Sequence, residues 1–217
     1  MEPRYEDFLY RIVEERERLM LKQEAVAVKL GLSQSRLSKN ELGKNRFSFL
    51  NLQIMSHLKF DLYYAFTGNR LQLKINDMSV LGQRFFLENI FIALSEYDIY
   101  SFEPRVRQLL DYIKYVSYFS YTGDRNVYKI LTLYDGMTQM ELADLLGIAP
   151  KKLRQLQNHD VMPDSEIMFR TVSVFGITPM TLLEDENSAL YQADYVINLL
   201  DEHMKGSVLE LLQKNKM

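Results

Sequence analysis

Two stretches of the chain repeat one short pattern, and this repeat constrains the fold more than any other feature. Residues 22–43 read KQEAVAVKLGLSQSRLSKNELG, and residues 138–159 read TQMELADLLGIAPKKLRQLQNH. We call these stretches the first repeat and the second repeat; they are offset by 116 residues. The residues that are identical in both are Gln23, Ala27, Leu30, Gly31 and Leu37, which return as Gln139, Ala143, Leu146, Gly147 and Leu153.

In the first repeat, the identical residues have structural tasks that together define two short helices. Ala27 and Leu30 lie on one face at helical spacing. Gly31 follows at the point where a left-handed backbone ends a helix, a conformation that glycine adopts without a side-chain clash. Ser33 is a good N-cap for a second helix, and Leu37 is the inward residue of that helix. The pattern therefore predicts a helix, a glycine turn and a second helix.

The second repeat follows the same pattern with different end signals. Thr138 and Glu141 form a capping box at the start of its first helix. Gly147 turns the chain, and Pro150 suits the first position of the next helix. Ala149 stands where the first repeat has a serine, so this helix lacks the usual N-cap side chain.

The flanks of the two repeats also correspond, because an amphipathic helix precedes each repeat and two short helices follow it. The first repeat contains Gln, Ala, Gly, Ser and Glu-x-Gly in the order that is typical of the lambda-repressor-like (Xre/Cro) helix-turn-helix family. The stretch from Phe8 to Gly68 resembles this family. Residues 127–187 resemble it more loosely. The resemblance implies two five-helix DNA-binding domains in one chain.

The resemblance further implies that the second helix of the first repeat lies in the major groove. The side chains implied to contact DNA are Gln34, Ser35, Arg36, Ser38 and Lys39 on that helix, Gln23 on the helix before it, and Lys44, Asn45 and Arg46 after it. Gln can bond adenine, and Arg or Lys can reach guanine. Residues 29–46 carry a local charge of +4 although the chain carries −3, and phosphate contact depends on local charge. The alternative is that these side chains form only a solvated helix face.

The family also implies a partly buried structural ion pair between Arg16 and Glu41. In the second copy, Thr132 and Gln157 occupy the equivalent positions, so both charges are absent together and neither is left buried without a partner.

The second copy has its own candidates for DNA contact and an argument against them. The candidates are Gln139, Lys151, Lys152, Arg154 and Gln155. Asp160, Asp164 and Glu166 lie where the first copy has Lys44 and its neighbours, and there they would face phosphate. The alternative for this copy is a degenerate domain used for dimerisation or for binding a partner.

We therefore predict an all-α fold with two lambda-repressor-like domains, a helical connecting region and a C-terminal helix. In the connecting region, Leu71, Leu73 and Ile75 alternate with polar residues, which favours a short strand or an extended arm. The predicted division is residues 1–68 for the N-terminal helix-turn-helix domain, 69–126 for the connecting region, 127–187 for the divergent second domain and 188–217 for the C-terminal helix.

The connecting region and the tail suggest packing surfaces. Tyr112, Tyr115, Tyr118 and Tyr121 recur every third residue, a spacing that does not place them on one helix face. We expect them to pack between domains, and a pocket for a small ligand or a surface for a protein partner is the alternative. The tail is predicted as one helix over 188–214, with Gly206 as a weak point.

Several function classes find no support in the sequence. The chain has no cysteine, so disulfides and thiolate metal sites are excluded. Its histidines are scattered, and phosphate-loop, metal-pair and nucleophile-elbow motifs are missing. We expect no catalytic residue, metal or cofactor, and no enzyme activity. No apolar run reaches the roughly 18 residues of a membrane span, and we expect a cytoplasmic protein.

The sequence thus predicts a sequence-specific transcriptional regulator, a repressor, that binds double-stranded DNA as a homodimer. Twofold-symmetric sites require two reading heads, which is why a homodimer is expected. The alternative is a protein-binding adaptor or an antitoxin-like module with the same fold. The local charge of +4 over residues 29–46 favours the regulator, whereas residues 127–217 carry −5, which keeps the adaptor open.

Overall fold

The computed structural model describes residues 4–73, 78–95, 97, 102–122, 126–134 and 137–214, and the described part is helical throughout, with no strand. Its helices are α1 (Tyr5–Arg18), α2 (Gln23–Lys29), α3 (Gln34–Glu41), α4 (Phe49–His57), α5 (Leu62–Thr67), α6 (Val80–Leu94), α7 (Pro104–Thr122), α8 (Val127–Leu131), α9 (Gln139–Leu146), α10 (Pro150–Gln157), α11 (Ser165–Phe175), α12 (Pro179–Leu182), α13 (Ser188–Leu199) and α14 (Glu202–Lys214). None of these helices is both long and apolar enough to cross a membrane.

The contacts between helices group the chain into two compact units. Unit 1 comprises residues 1–70 and 136–174, and unit 2 comprises residues 71–135 and 175–217. This grouping differs from the four segments that the sequence predicts, because it divides the stretch 127–187 between the two units. Helices α9, α10 and α11 therefore belong to the same compact unit as α1 to α5. The division into four segments stays a prediction.

The first repeat in unit 1 has the predicted helix, glycine turn and helix. Gly31 is left-handed at φ +66°, which lets the backbone N–H of Leu32 donate to Ala27 O at 2.9 Å and close the turn. Ser33 Oγ accepts a hydrogen bond from Arg36 N at 3.2 Å and caps α3. These bonds fix the angle at which α3 leaves α2.

The core beneath the first repeat is built from apolar side chains of every helix from α1 to α5. Phe8, Leu37, Leu52 and Phe66 are all buried, and the rings of Phe8 and Phe66 lie 4.4 Å apart between centroids. Truncation of one such Leu to Ala costs about 2–5 kcal/mol of stability. The orientation of α3 is therefore set by a well-packed core.

The second repeat, also in unit 1, reproduces this local structure. The capping box is formed, because Glu141 N donates to Thr138 Oγ1 at 3.2 Å and Thr138 N donates to Glu141 Oε2 at 2.7 Å. Gly147 is left-handed at φ +62°, and Ala149 precedes α10 without a side-chain cap, as predicted. Helix α10 occupies the same positions as α3 when the offset of 116 residues is applied.

Unit 2 is a separate helical cluster in which α13 packs against α6, α7 and α12, and α14 packs against α6. The prediction of a single C-terminal helix is wrong, because the chain breaks between α13 and α14 rather than at Gly206. Leu200 is extended, with φ −80° and ψ 148°, and its side chain is buried. Asp201 Oδ1 then accepts from Met204 N at 2.8 Å, which starts α14.

The predicted strand over Leu71 to Ile75 is not formed in the residues that are described here. Leu71 and Leu73 belong to no strand, and Ile75 lies outside the described residues. The buried carboxylate of Asp194 accepts hydrogen bonds from the backbone N–H groups of Gln72 and Leu73, at 2.9 and 3.0 Å. These donors are satisfied by a side chain of α13, so no strand partner is required.

Candidate nucleic-acid interface

One side of α3 carries the polar side chains that the sequence analysis assigned to base contact. Those that are exposed are Gln34, Ser35, Arg36 and Lys39, and Ser38 is half-buried. Leu37 on the opposite side is fully buried, which fixes the rotation of the helix. Within the described residues, no carboxylate forms a salt bridge with Arg36 or Lys39. The helix thus presents cations and amide groups that remain available to a ligand.

The Arg16–Glu41 pair is present, and it includes a third residue. Arg16 Nε donates to Glu41 Oε1 at 2.9 Å, and Gln23 Nε2 donates to Glu41 Oε2 at 2.8 Å. Arg16 Nη1 also donates to the carbonyl of Leu21 at 3.2 Å. The side chains of Arg16 and Glu41 are 14% and 8% exposed, so the pair is partly buried. This network ties α1, α2 and α3 together and leaves Gln23 one amide N–H for a phosphate.

The loop after α3 places its three predicted phosphate contacts in different environments. Lys44 and Asn45 are exposed, and their backbone N–H groups both donate to Lys39 O. Arg46 is already committed, because its Nη1 donates to Gly43 O at 2.7 Å and its Nε donates to Glu166 Oε2 at 2.5 Å. Lys44 and Asn45 therefore face solvent, whereas the guanidinium of Arg46 connects two parts of unit 1.

Helix α10 carries the candidate contacts of the second copy. Lys151 and Arg154 are exposed, as is Gln139 at the start of α9, and Lys152 and Gln155 are half-buried. Among the described residues, no acidic side chain forms a salt bridge with the three cations of α10. The charge of this helix is therefore as available as that of α3.

Two of the three acidic residues that would face phosphate near the second repeat already accept hydrogen bonds from the protein. Asp164 Oδ1 accepts from Glu166 N and Ile167 N and so caps α11. Glu166 binds Arg46 and also accepts from Arg170 Nη2 at 3.3 Å. Burial acts to raise the pKa of Glu166, but the hydrogen bonds from the two arginines outweigh it and the pKa lies below its ordinary value. Only Asp160 of the three acidic residues remains exposed without such bonds.

Ser165 is a contact residue that sequence reasoning missed. It is fully buried, and its Oγ lies 2.6 Å from Tyr5 Oη and accepts from Phe47 N at 3.1 Å. Burial raises the pKa of Tyr5 to about 12. A serine at the start of a helix looks like an ordinary terminal residue, so no sequence signal indicated this role.

Glu15 was missed as well, although it is a fully buried carboxylate. Arg18 Nη2 donates to it at 2.6 Å, Arg70 Nη2 at 2.8 Å, and the backbone N–H of Asp61 at 2.8 Å. These bonds hold Asp61, which caps α5, and Arg70, which lies beyond the end of α5, against α1. Glu15 therefore supports the packing of α1 and α5 rather than the exposed polar side of α3.

Unit 2 contains a groove of about 710 Å³ between α6 and α7. Aromatic and apolar side chains dominate its wall, with Glu88, Asp111 and Lys114 at the polar positions. Of the tyrosine series, Tyr112 is buried, Tyr115 and Tyr118 line the groove, and the side chain of Tyr121 lies outside the described residues. The size falls within the range of small-molecule sites.

A comparison with family models finds a match that includes the first repeat. A family model for the helix-turn-helix matches residues 12–58, from within α1 to the residue that follows α4. The matched region is similar to helix-turn-helix domains of the Xre, lambda-repressor-like type, which are typical of DNA-binding transcription regulators. The match does not extend to the second repeat. Comparison with curated proteins and with solved structures gives no significant match.

Proposed function

We propose that the chain is a sequence-specific DNA-binding transcription regulator that inserts α3 into the major groove. The observation that carries this proposal is the set of exposed, unpaired polar side chains on α3, held in place by the cap, the buried Leu37 and the Arg16–Gln23–Glu41 network. A rigid support is required because base contacts depend on placement within fractions of an ångström. The proposed activity is binding, not catalysis, and it would place the protein with the cytoplasmic DNA.

The side chains divide into those that read bases and those that hold the backbone. Gln34 and Arg36 lie in the first turn of α3, and we assign them to base edges, with Ser35, Ser38 and Lys39 beside them. Gln23, Lys44 and Asn45 lie at the flanks and are assigned to phosphates. Arg46 is assigned chiefly to its bond with Glu166, because a guanidinium in that ion pair must leave it before it can bind phosphate fully.

The second repeat is proposed as a divergent copy of the same domain. It has the same helix positions, glycine turn and buried leucines at the offset of 116 residues. The observation that favours a role in DNA contact is the unpaired charge of Lys151, Lys152 and Arg154, together with the capture of Glu166 by two arginines.

Repression is the proposed regulatory outcome, because a protein that fills the major groove excludes other proteins from the same base pairs. A reporter gene behind the bound sequence tests this directly. Expression that falls when the protein is supplied supports a repressor, and expression that rises contradicts it. The homodimer expected from the sequence stays a prediction, and the groove between α6 and α7 is the proposed site for any small-molecule effector.

The first experiment selects bound sequences from random duplexes and then titrates binding over rising salt. We expect affinity to fall steeply with salt, since phosphate contacts release counterions. The double variant Arg36→Ala, Lys39→Ala should lose roughly tenfold or more in affinity, because each base contact contributes about 1–3 kcal/mol. The matched control is Arg105→Ala, Lys205→Ala, which removes one arginine and one lysine from unit 2, outside the groove, and should bind as the unchanged protein does.

The results separate the regulator from the adaptor or antitoxin-like module. Binding to no duplex in the selected pool, including the DNA upstream of its own gene, would contradict the proposal and favour the adaptor. Equal losses in the α3 variant and in the unit 2 control would show that only net charge matters, which also contradicts reading by α3.

A further inference from the structure

The loop before α4 and the start of α11 form a paired junction within unit 1. Ser165 N donates to Phe47 O at 3.0 Å, and Phe47 N donates to Ser165 Oγ at 3.1 Å. One residue further out, Arg46 forms its ion pair with Glu166. Residue 47 therefore faces 165 and residue 46 faces 166, so the two segments run antiparallel.

The two segments are equivalents of each other under the repeat. At the offset of 116 residues, Ser48 corresponds to Asp164, and both are N-caps. Ser48 Oγ accepts from Asn51 N at 3.2 Å, and Asp164 Oδ1 accepts from the equivalent Ile167 N at 3.1 Å. The junction thus pairs one loop with its own counterpart in the reverse direction, centred on the two caps.

Pairing of a segment with its own equivalent in the reverse direction is the contact pattern of a twofold axis. Such an interface between identical subunits is isologous, because the same patch is used on both sides. In this protein both patches belong to one chain. The junction therefore relates the two repeats as a twofold axis relates the subunits of a dimer.

Aromatic and hydroxyl side chains contact one side of this junction. Tyr5 meets Phe169 edge-to-face, with ring centroids 5.8 Å apart, and its hydroxyl bonds to the buried Ser165. At the offset of 116 residues, Arg46 corresponds to Met162 and Glu166 corresponds to Leu50. A twofold axis would therefore place Leu50 and Met162 where a second ion pair would form. These two side chains are 62% and 46% exposed. The symmetry of the junction is therefore approximate, because an ion pair lies on one side of it and two apolar side chains lie on the other.

We propose that a single chain carries both reading heads of a dimer and occupies two half-sites in inverted orientation, with α3 in one and α10 in the other. This inference rests on the proposed function. The half-sites must differ in sequence, because the chemistry of the two helices differs at equivalent positions. Where α3 has Gln34, Ser35 and Arg36, α10 has Pro150, Lys151 and Lys152.

The first test measures how many chains bind the selected duplex and which bases they protect. We expect one chain per duplex, by mass measurement of the complex, and a hydroxyl-radical footprint over two neighbouring half-sites. Lys151→Ala, Arg154→Ala should remove protection from one half-site, and Arg36→Ala, Lys39→Ala from the other. The control Arg105→Ala, Lys205→Ala should keep both.

The second test varies the spacing between the half-sites. Insertion of about five base pairs turns them to opposite faces of the duplex, and we expect affinity to fall on the order of tenfold or more as the second contact is lost. Insertion of about ten base pairs should not restore it, because the junction holds the two helices at a fixed separation.

A third test needs no DNA and uses the fact that the chain has no cysteine. In the variant Arg46→Cys, Glu166→Cys, a short bis-maleimide should link the two thiols within one chain and produce no linked dimer. Two linked chains, or no link, would overturn the pairing. Two chains per duplex, or an unchanged footprint in the α10 variant, would overturn the inference while the proposed function stands. Binding to no duplex would overturn both.

Discussion

The two repeats share a backbone pattern but hold it in place by different means. In the first repeat, the helices are joined by the Arg16–Gln23–Glu41 network, and Ser33 caps the reading helix. In the second, the equivalents of the ion pair are Thr132 and Gln157, and Ala149 provides no cap. The buried leucines at positions 37 and 153 are common to both.

This difference shows which features of the motif are required for its shape. The left-handed glycine and the buried leucine are present in both repeats, so they define the turn and the packing of the second helix. The ion pair and the serine cap are present in only one, so they add stability or precision to a shape that forms without them. Exchange of these residues between the repeats tests that distinction.

The largest effect is expected when the residues of the Arg16–Glu41 pair are replaced by those at the equivalent positions of the second repeat, Thr132 and Gln157. Glu41→Gln alone should lower the free energy of unfolding by about 3 kcal/mol, because it leaves the largely buried Arg16 with only the exposed Glu17, at 3.8 Å, as a carboxylate partner. The double variant Arg16→Thr, Glu41→Gln should lose less than the sum of its single variants. Urea denaturation of the four proteins in the cycle measures this coupling.

Additive losses in that cycle would mean that the two side chains act independently. The absence of both charges at Thr132 and Gln157 in the second repeat would then have no explanation in the stability of the pair.

A smaller effect is expected at Glu15, whose equivalent in the second repeat's flank is Leu131. Glu15→Leu should cost about 2 kcal/mol, since it removes hydrogen bonds to a charged group from Arg18, Arg70 and Asp61. The half-exposed arginines can be rehydrated, which limits the loss. Chemical denaturation at neutral pH measures it.

The same carboxylate predicts a dependence of stability on pH. Burial acts to raise the pKa of Glu15, but its bonds to Arg18, Asp61 N and Arg70 outweigh burial and the pKa lies below the ordinary value of 4.5. A lowered pKa contributes stability above 4.5 that is lost as pH falls through the folded-state pKa. The drop in urea midpoint on acidification should therefore be smaller in Glu15→Leu, and an equal drop would assign the acid sensitivity elsewhere.

The smallest effect is expected from exchange of the caps. Ser33→Ala should lose about 1 kcal/mol, because Arg36 N loses the Ser33 hydroxyl as an acceptor and keeps only the carbonyl of residue 33, and Ala149→Ser should gain roughly 0.5–1 kcal/mol. Thermal unfolding of both variants provides the measurement. No gain from Ala149→Ser would indicate that the backbone before Pro150 cannot direct a hydroxyl at the next turn.

The sequence predicted the local structure of both repeats because the signals there are local. Gly31 and Gly147 mark turns, Thr138 and Glu141 mark a helix start, and the spacing of the leucines marks the buried faces. Ser33 likewise marks the start of α3. The polar side chains assigned to α3 are exposed, apart from the half-buried Ser38, and their contact with DNA stays a prediction.

The interactions that were missed depend on residues far apart in the chain. The bond of Ser165 to Tyr5 and the pairing of Arg46 with Glu166 join residues more than a hundred positions apart, and neither residue type indicates its partner. The break after α13 was missed for a different reason. Leu200 is apolar and continues the helical pattern, so only its extended backbone and the cap from Asp201 reveal the end of the helix.

The junction between Phe47 and Ser165 also has an evolutionary consequence. When two identical subunits meet, every mutation appears in both halves of the assembly, and a change that suits one half is imposed on the other. Here the two facing segments are encoded at separate positions of one gene. Each half can therefore acquire substitutions alone, and the serine cap and the ion pair are present in only one of the two repeats.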